Sequence, residues 1–308
     1  MSQHQKQSPQ SNQSSSLYEL PFPEVIRYFP STDGMSIPTY DWGGDGPPLV
    51  FAHATGLHAH TYAPLAQRLR ANFHCYGIDV RGQGGAGVPE NDDLGWTGVA
   101  NDFVAALDGL GLSGRGDVHG IGHSQGGYSI VQSALLRPGT FSSVFGFEPV
   151  IFTLPEGVTF NVGDNAMVQQ ARKRRQVFES REAAYENYKS KPPFMLIDDD
   201  ALRAYVAWGF DDLPDSTVTL KCSGASEAQL FANSRTQTFH HLHEVDCQVV
   251  LGLSGHTQQN FIDSVPAQSE RLRDSVLLHF PSRTHFGLLE GIDEMADTIT
   301  SAFQARHA

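Results

Sequence analysis

The pentapeptide Gly122-His123-Ser124-Gln125-Gly126, extended by Gly127, constrains this chain more than any other feature. It follows a strand-like run, Val118 to Ile121, and precedes Tyr128 to Leu136, whose apolar residues have helical spacing. A strand that turns this sharply into a helix forces its central residue into a strained backbone conformation. Only glycine at the flanking positions leaves room for the close approach. Such a turn lifts the Ser124 hydroxyl to the C-terminal edge of a sheet and to a helix N-terminus, whose dipole favours a developing negative charge. The pentapeptide alone is common. In a strand–turn–helix context it predicts a serine nucleophile.

The rest of the chain predicts the sheet this turn requires. Val25 to Phe29 and Ile37 to Trp42 flank the turn pair Asp33-Gly34 and read as an antiparallel hairpin. Leu49 to His53, Phe73 to Asp79, Val118 to Gly122 and Val144 to Glu148 are apolar on both faces, as buried parallel strands are. Tyr62 to Arg70, Val99 to Leu110 and Tyr128 to Leu136 fall between them with helical spacing. The rhythm stops near Thr153. To about His243 the pattern is helical and polar, over Gln169 to Ser180, Arg181 to Lys189, Asp200 to Trp208 and Glu227 to Asn233. Strands return at Cys247 to Leu253 and Ser275 to Phe280, before a final helix from about Leu288 to Gln304. The expectation is an α/β fold with an eight-stranded, mostly parallel sheet flanked by helices. Its core is residues 17–152 and 244–308, with a helical cap inserted at 153–243. Residues 1–16 are Ser, Gln and Asn-rich, with no apolar run for a secretory signal, and read as a disordered tail.

Composition narrows the partners. With 21 Lys+Arg against 34 Asp+Glu the net charge is −13, a poor match for nucleic acid. The basic run Arg172-Lys173-Arg174-Arg175 reads as a solvated helix face rather than a polyanion site. No apolar stretch is long enough to span a membrane. Cys75, Cys222 and Cys247 cannot all pair within one chain and show no metal-type spacing, which reads as a protein of a reducing compartment, the cytoplasm. His240, His241 and His243 lack a fourth ligand signature, so neither metal nor cofactor is expected. The expected partner is a small molecule.

A serine nucleophile needs a base. Of 14 histidines, His285 stands apart, because it follows the last predicted strand across Ser282-Arg283-Thr284 and precedes Phe286-Gly287 and a helix. A loop there opens at the same sheet edge as Ser124. A histidine that merely caps the final helix is the alternative.

By these residues the chain resembles the capped branch of the α/β-hydrolase superfamily, over Leu17 to Ala308. The resemblance includes Phe51-Ala52-His53-Ala54-Thr55-Gly56 after the third strand and Asp79-Val80-Arg81-Gly82-Gln83-Gly84 after the fourth. It implies a triad acid after the seventh strand, yet Val250 to Thr257 holds no carboxylate. Some relatives place the acid after the sixth strand, where this chain has Glu148, ending an apolar run beside the His285 loop. A buried carboxylate there needs a partner, and an imidazole N–H would satisfy it. Asp263 is the second candidate, and a Glu148 that caps a helix or pairs at the surface is the bland one. The resemblance also implies an oxyanion hole from the backbone N–H groups of Gln125 and Thr55, with His53 a structural bond-former.

The implied activity is a cofactor-independent serine hydrolase acting on a carboxylic ester or lactone of a small, largely apolar substrate. Of the large apolar and aromatic cap residues Val177, Phe178, Tyr185, Tyr188, Phe194, Met195, Trp208, Phe210 and Phe231, most are expected to pack the cap onto the core and a few to roof an acyl pocket, with no order among them. Amide or peptide hydrolysis, C–C bond hydrolysis and a non-catalytic receptor on the same scaffold are the alternatives.

Overall fold

The computed structural model describes residues 17–152, 165–234 and 236–305; the expected tail, and residues 153–164 of the expected cap, lie outside them. β1 (Val25–Pro30) and β2 (Ser36–Gly43) form the hairpin, with Asp33 and Gly34 at φ 58° and 72° in its turn. Strands and helices then alternate: β3 (Pro48–Ala52), α1 (Ala63–Leu69), β4 (His74–Ile78), α2 (Trp96–Gly109), β5 (Val118–His123), α3 (Gln125–Leu136) and β6 (Phe141–Phe147). The next segment carries α4 (Ala166–Arg172), β7 (Val177–Phe178), α5 (Arg181–Lys189), α6 (Asp199–Trp208), β8 (Phe210–Asp212), β9 (Val218–Leu220), α7 (Gly224–Ala232) and α8 (Thr238–His241). β10 (Gln248–His256), α9 (Gln259–Arg271), β11 (Ser275–Thr284) and α10 (Ile292–Gln304) complete the chain.

The large sheet has eight strands in the order β1-β2-β4-β3-β5-β6-β10-β11. β2 pairs antiparallel with β1 and β4, and every other pairing is parallel. β3 and β5 are buried along their whole length because helices cover both faces. One core packs Trp42, Phe51, Leu65, Phe145 and Ile299 on one face; the other packs Val50, Val99, Phe103, Ile130 and Val265 on the opposite face. This order brings the C-terminal ends of β3, β5, β6 and β11 to one edge, at a crevice of the kind where α/β sheets bind ligands.

The turn after β4 locks that edge in place. Asp79 accepts hydrogen bonds from Tyr40 Oη at 2.9 Å and from the Ala59 and Gly85 amides at 2.7 and 2.8 Å. Gly84, at φ 54°, lies so close that a Cβ would stand 2.1 Å from Asp79 Oδ2. Arg81 is fully buried and grips Asp102 of α2 through Nε at 2.8 Å and Nη2 at 2.9 Å, with Asp33 at 2.8 Å from Nη1. Such a planar, two-pronged pair suits arginine.

Three expectations need correction. The segment between β6 and β10 is not all helical, because β7, β9 and β8 form a second, antiparallel sheet. The helix expected through Ser180 ends at Arg172, and Val177-Phe178 is a strand. α9 appears between β10 and β11, where no helix was predicted. Among the described residues no helix is long and apolar enough to cross a membrane.

Candidate active site

Ser124 has φ 55° and ψ −112°, a conformation costing on the order of 1–3 kcal/mol that its surroundings must enforce. A Cβ at Gly122 would stand 2.6 Å from Gly126 O, and one at Gly126 only 1.9 Å from Ala52 O. The glycines are therefore dictated by the packing of α3 against β3 and β5. The Ser124 backbone is tied on both sides: its N–H donates to Phe147 O at 3.0 Å, and its carbonyl accepts from Val150 N at 3.1 Å. These bonds fasten the serine turn to the turn that follows β6.

That second turn carries Glu148, fully buried and at φ 43°. Its carboxylate collects four donors. His285 Nδ1 lies 2.6 Å from Oε2, Thr257 Oγ1 donates to Oε2 at 2.8 Å, and Ser254 donates to Oε1 through N at 2.9 Å and Oγ at 2.7 Å. Burial alone would raise the carboxyl's pKa. The hydrogen bond and charge of His285, with the two Ser254 donors, outweigh it and hold the group below its ordinary value. A carboxylate only accepts, so His285 Nδ1 carries the proton and Nε2 is the ring nitrogen left for Ser124. Phe261 of α9 stacks on the imidazole at 4.6 Å and fixes its plane.

Ser124 and His285 both open into a cavity of about 660 Å³, within the range of small-molecule sites. Leu57, Phe194, Leu196, Phe231 and Phe286 supply its apolar wall. Arg174 and Glu227 line it too, joined by Nη1 at 3.0 Å from both carboxylate oxygens. Among the described residues no hydrogen bond joins Ser124 Oγ to His285; catalytic hydrogen bonds are often long before substrate arrives.

The model for a family described as alpha/beta hydrolase matches residues 49–298. The chain belongs to the α/β hydrolase family. A type I acyl-CoA thioesterase, mpaH, of Penicillium roqueforti is 29% identical over 170 residues, covering 52% of this chain and 38% of its own length. Another, mpaH' of Penicillium brevicompactum, is 24% identical over 271 residues, covering 83% and 61%. The chain thus spans about 38–61% of the length of these curated relatives. Among solved structures, E-2-(acetamidomethylene)succinate hydrolase superposes with a TM-score of 0.74 at 21% identity, covering 92% of this chain and 100% of that one. An esterase from Exiguobacterium antarcticum gives 0.67 at 18% identity, covering 91% and 100%. At such identities the likeness establishes the fold.

In this α/β hydrolase the structure brings Ser124, His285, Thr55 and Glu148 to one edge of the sheet. β11 runs through Thr284, so His285 follows the strand directly rather than a three-residue loop. Asp263 lies on α9 and accepts from Gln259 at 2.7 Å, while Asp246 accepts from the Gly139 amide at 2.7 Å; neither bonds His285. Gln125 begins α3, so its amide is free of intrahelical bonding. Thr55 lines the cavity, and the amides on either side of it are engaged elsewhere. His53 bonds Ala54 O and the Val80 amide, a structural role for the loop.

Arg174 is a correction, because it turns inward to Glu227 and the cavity, while Arg175 turns outward to Glu179. His241 bonds Glu244 at 2.8 Å on the surface, and His243 lies 3.8 Å from the same carboxylate. Among the described residues no group of three or more His, Cys, Asp or Glu could hold a metal ion. Sequence reasoning missed Ser254 and Thr257, the hydroxyls that replace the carboxylate absent after the seventh strand of the large sheet. Their signal was two hydroxyl residues in that segment.

Proposed function

We propose that this protein hydrolyses a carboxylic ester, lactone or thioester of a small, largely apolar acyl group through an acyl-enzyme on Ser124. The observation that carries the reading is the bond at 2.6 Å from buried Glu148 to His285, which opens into the same cavity as Ser124. Ser124 Oγ attacks the carbonyl carbon as His285 Nε2 takes its proton, and Glu148 steadies the imidazolium that forms. The tetrahedral oxyanion accepts from the Gln125 and Thr55 amides. Collapse breaks the bond to the leaving alkoxide or thiolate, which takes the proton from His285. Water, deprotonated by the same nitrogen, then attacks the acyl carbon; the bond to Ser124 Oγ breaks, Oγ takes the proton back from His285, and the acid leaves. Every proton has a carrier among these side chains, so no step calls for a cofactor. The segment between β6 and β10, here the cap, roofs the cavity with Phe194 and Phe231.

Relatives named as acyl-CoA thioesterases and neighbours named as esterases support an acyl carbonyl as the target. An aminoacyl substrate fits less well. Asp199 is engaged by Lys189 and Arg203, Asp212 by Arg181, and the carboxylate lining the cavity, Glu227, is already matched by Arg174. A panel of p-nitrophenyl esters of increasing acyl length tests the reading, run beside a lactone, an acyl-CoA thioester and an aminoacyl amide. Saturable turnover of esters or the thioester above the amide is expected. Tight binding without turnover of any of them would instead make the protein a receptor.

A further inference from the structure

The two amides that flank Thr55 are each tied, through one intermediate side chain, to a residue that flanks Ser124. The Ala54 N–H donates to Tyr62 Oη at 3.2 Å, and Tyr62 Oη lies 2.8 Å from His123 Nδ1. The Gly56 N–H donates to Gln83 Oε1 at 2.8 Å, and Gln83 Nε2 donates to Gln125 Oε1 at 2.9 Å. Tyr62, His123, Gln83 and Gln125 are all essentially inaccessible to solvent.

Proton positions in the first of these chains follow from its ends. His123 Nε2 lies 2.7 Å from the His285 backbone carbonyl, which only accepts, so Nε2 bears the proton. Were Nδ1 protonated as well, the Tyr62 hydroxyl would receive from both sides and its own buried proton would have no acceptor, a costly arrangement. The ring is therefore neutral, and the direction runs Ala54 N–H to Tyr62 O–H to His123, then His123 N–H to His285 O. Burial beside His285 pushes the His123 pKa well below its ordinary value, in agreement with this.

We infer that Tyr62 and Gln83 are positioning residues for the oxyanion hole, bracing the Thr55 amide on both sides against the residues before and after Ser124. The inference rests on the acyl-transfer reading above and deepens it. An oxyanion hole stabilises only if its donors are held where the charge will develop, without reorganisation. The loop after β3 and the turn after β5 belong to adjacent strands, and a displacement of about 1 Å between them would cost on the order of 100-fold in rate. Two buried struts, one on each side of Thr55, prevent that displacement. The first strut also reaches the His285 backbone, so one hydrogen-bonded chain sets base and oxyanion donor together.

The test uses Tyr62→Phe and Gln83→Leu, with active sites counted by titration. It measures kcat and KM for a p-nitrophenyl ester and the Ki of a trifluoromethyl ketone, whose adduct with Ser124 carries the oxyanion. Each variant is expected to lose roughly 10–100-fold in kcat with KM within about 3-fold, and Ki should rise by the same factor as kcat/KM falls. A purely structural role lowers stability or the titrated fraction and leaves Ki per site unchanged. Unchanged Ki in a folded variant overturns the strut it removes, and if Tyr62→Phe does not fold, Gln83→Leu decides. Wild-type protein inert to both ester and ketone would overturn the reaction class together with this inference. Active wild type with unaltered variants overturns the inference alone.

Discussion

Glu148 Oε2 stands 2.6 Å from His285 Nδ1, joining the turn after β6 to the residue that follows β11. Between these strands runs β10, whose end supplies no carboxylate but gives Ser254 and Thr257 as donors to the same acid. The carboxylate thus stands one strand along the sheet from β10, and residues at the end of β10 hold it in place.

Glu148→Gln keeps size and polarity but removes the charge that would stabilise the imidazolium, and its NH2 cannot accept from the donors that one carboxylate oxygen now serves. A loss of up to ~10⁴ in kcat is expected, while Asp263→Asn should change the rate by less than about tenfold. Steady-state kinetics on a p-nitrophenyl ester separates the two. A crippled Asp263→Asn beside an active Glu148→Gln would move the triad acid to α9.

The same carboxyl contributes to acid stability, and the sign follows from its depressed folded pKa. Its contribution is complete above the unfolded glutamate value of about 4.3 and is lost as pH falls through the lower folded value. In Tm against pH, Glu148→Gln should decline less steeply than wild type below about pH 4.3. Parallel curves would mean that the carboxyl is not held below its ordinary range.

Arg81 and Asp102 are both fully buried, and without the Asp102 charge the guanidinium keeps only the partly exposed Asp33 as a counterion. Asp102→Asn is expected to cost about 3–5 kcal/mol in denaturant unfolding. A loss below about 1 kcal/mol would show that Asp33 alone can satisfy the guanidinium.

All three cysteines are buried and unpaired by disulfides, and burial pushes the Cys222 thiol up to about 12. Native protein should leave a thiol-exchange reagent unreacted over minutes at pH 8, and denatured protein should react at three sites per chain. Rapid native reaction at Cys222 would contradict its environment here.

What the sequence made legible was local or carried by burial. Gly122 and Gly126 announce a turn because nothing larger fits there, and Glu148 stands out as a charge ending an apolar strand. The helix Arg181–Lys189 was legible from its spacing; its cap was not, because Ser180, which accepts from the Ala183 amide, read as the end of the helix before it. Non-local features were not. β7, β8 and β9 are two or three residues long, and only their pairing makes them strands. α9 is polar and holds Pro266 in its interior, a residue that ordinarily breaks helices, yet Phe261 and Val265 on its buried side anchor it. Arg174 read as one of four surface cations, because no periodicity marks which member of a basic run finds a carboxylate inside.

The central claim is that Ser124 is the nucleophile, and covalent labelling reads it directly. Wild-type protein treated with a fluorophosphonate should gain the mass of one adduct, mapped to the peptide containing Ser124, and Ser124→Ala should gain none. An adduct that persists on folded Ser124→Ala would contradict the account.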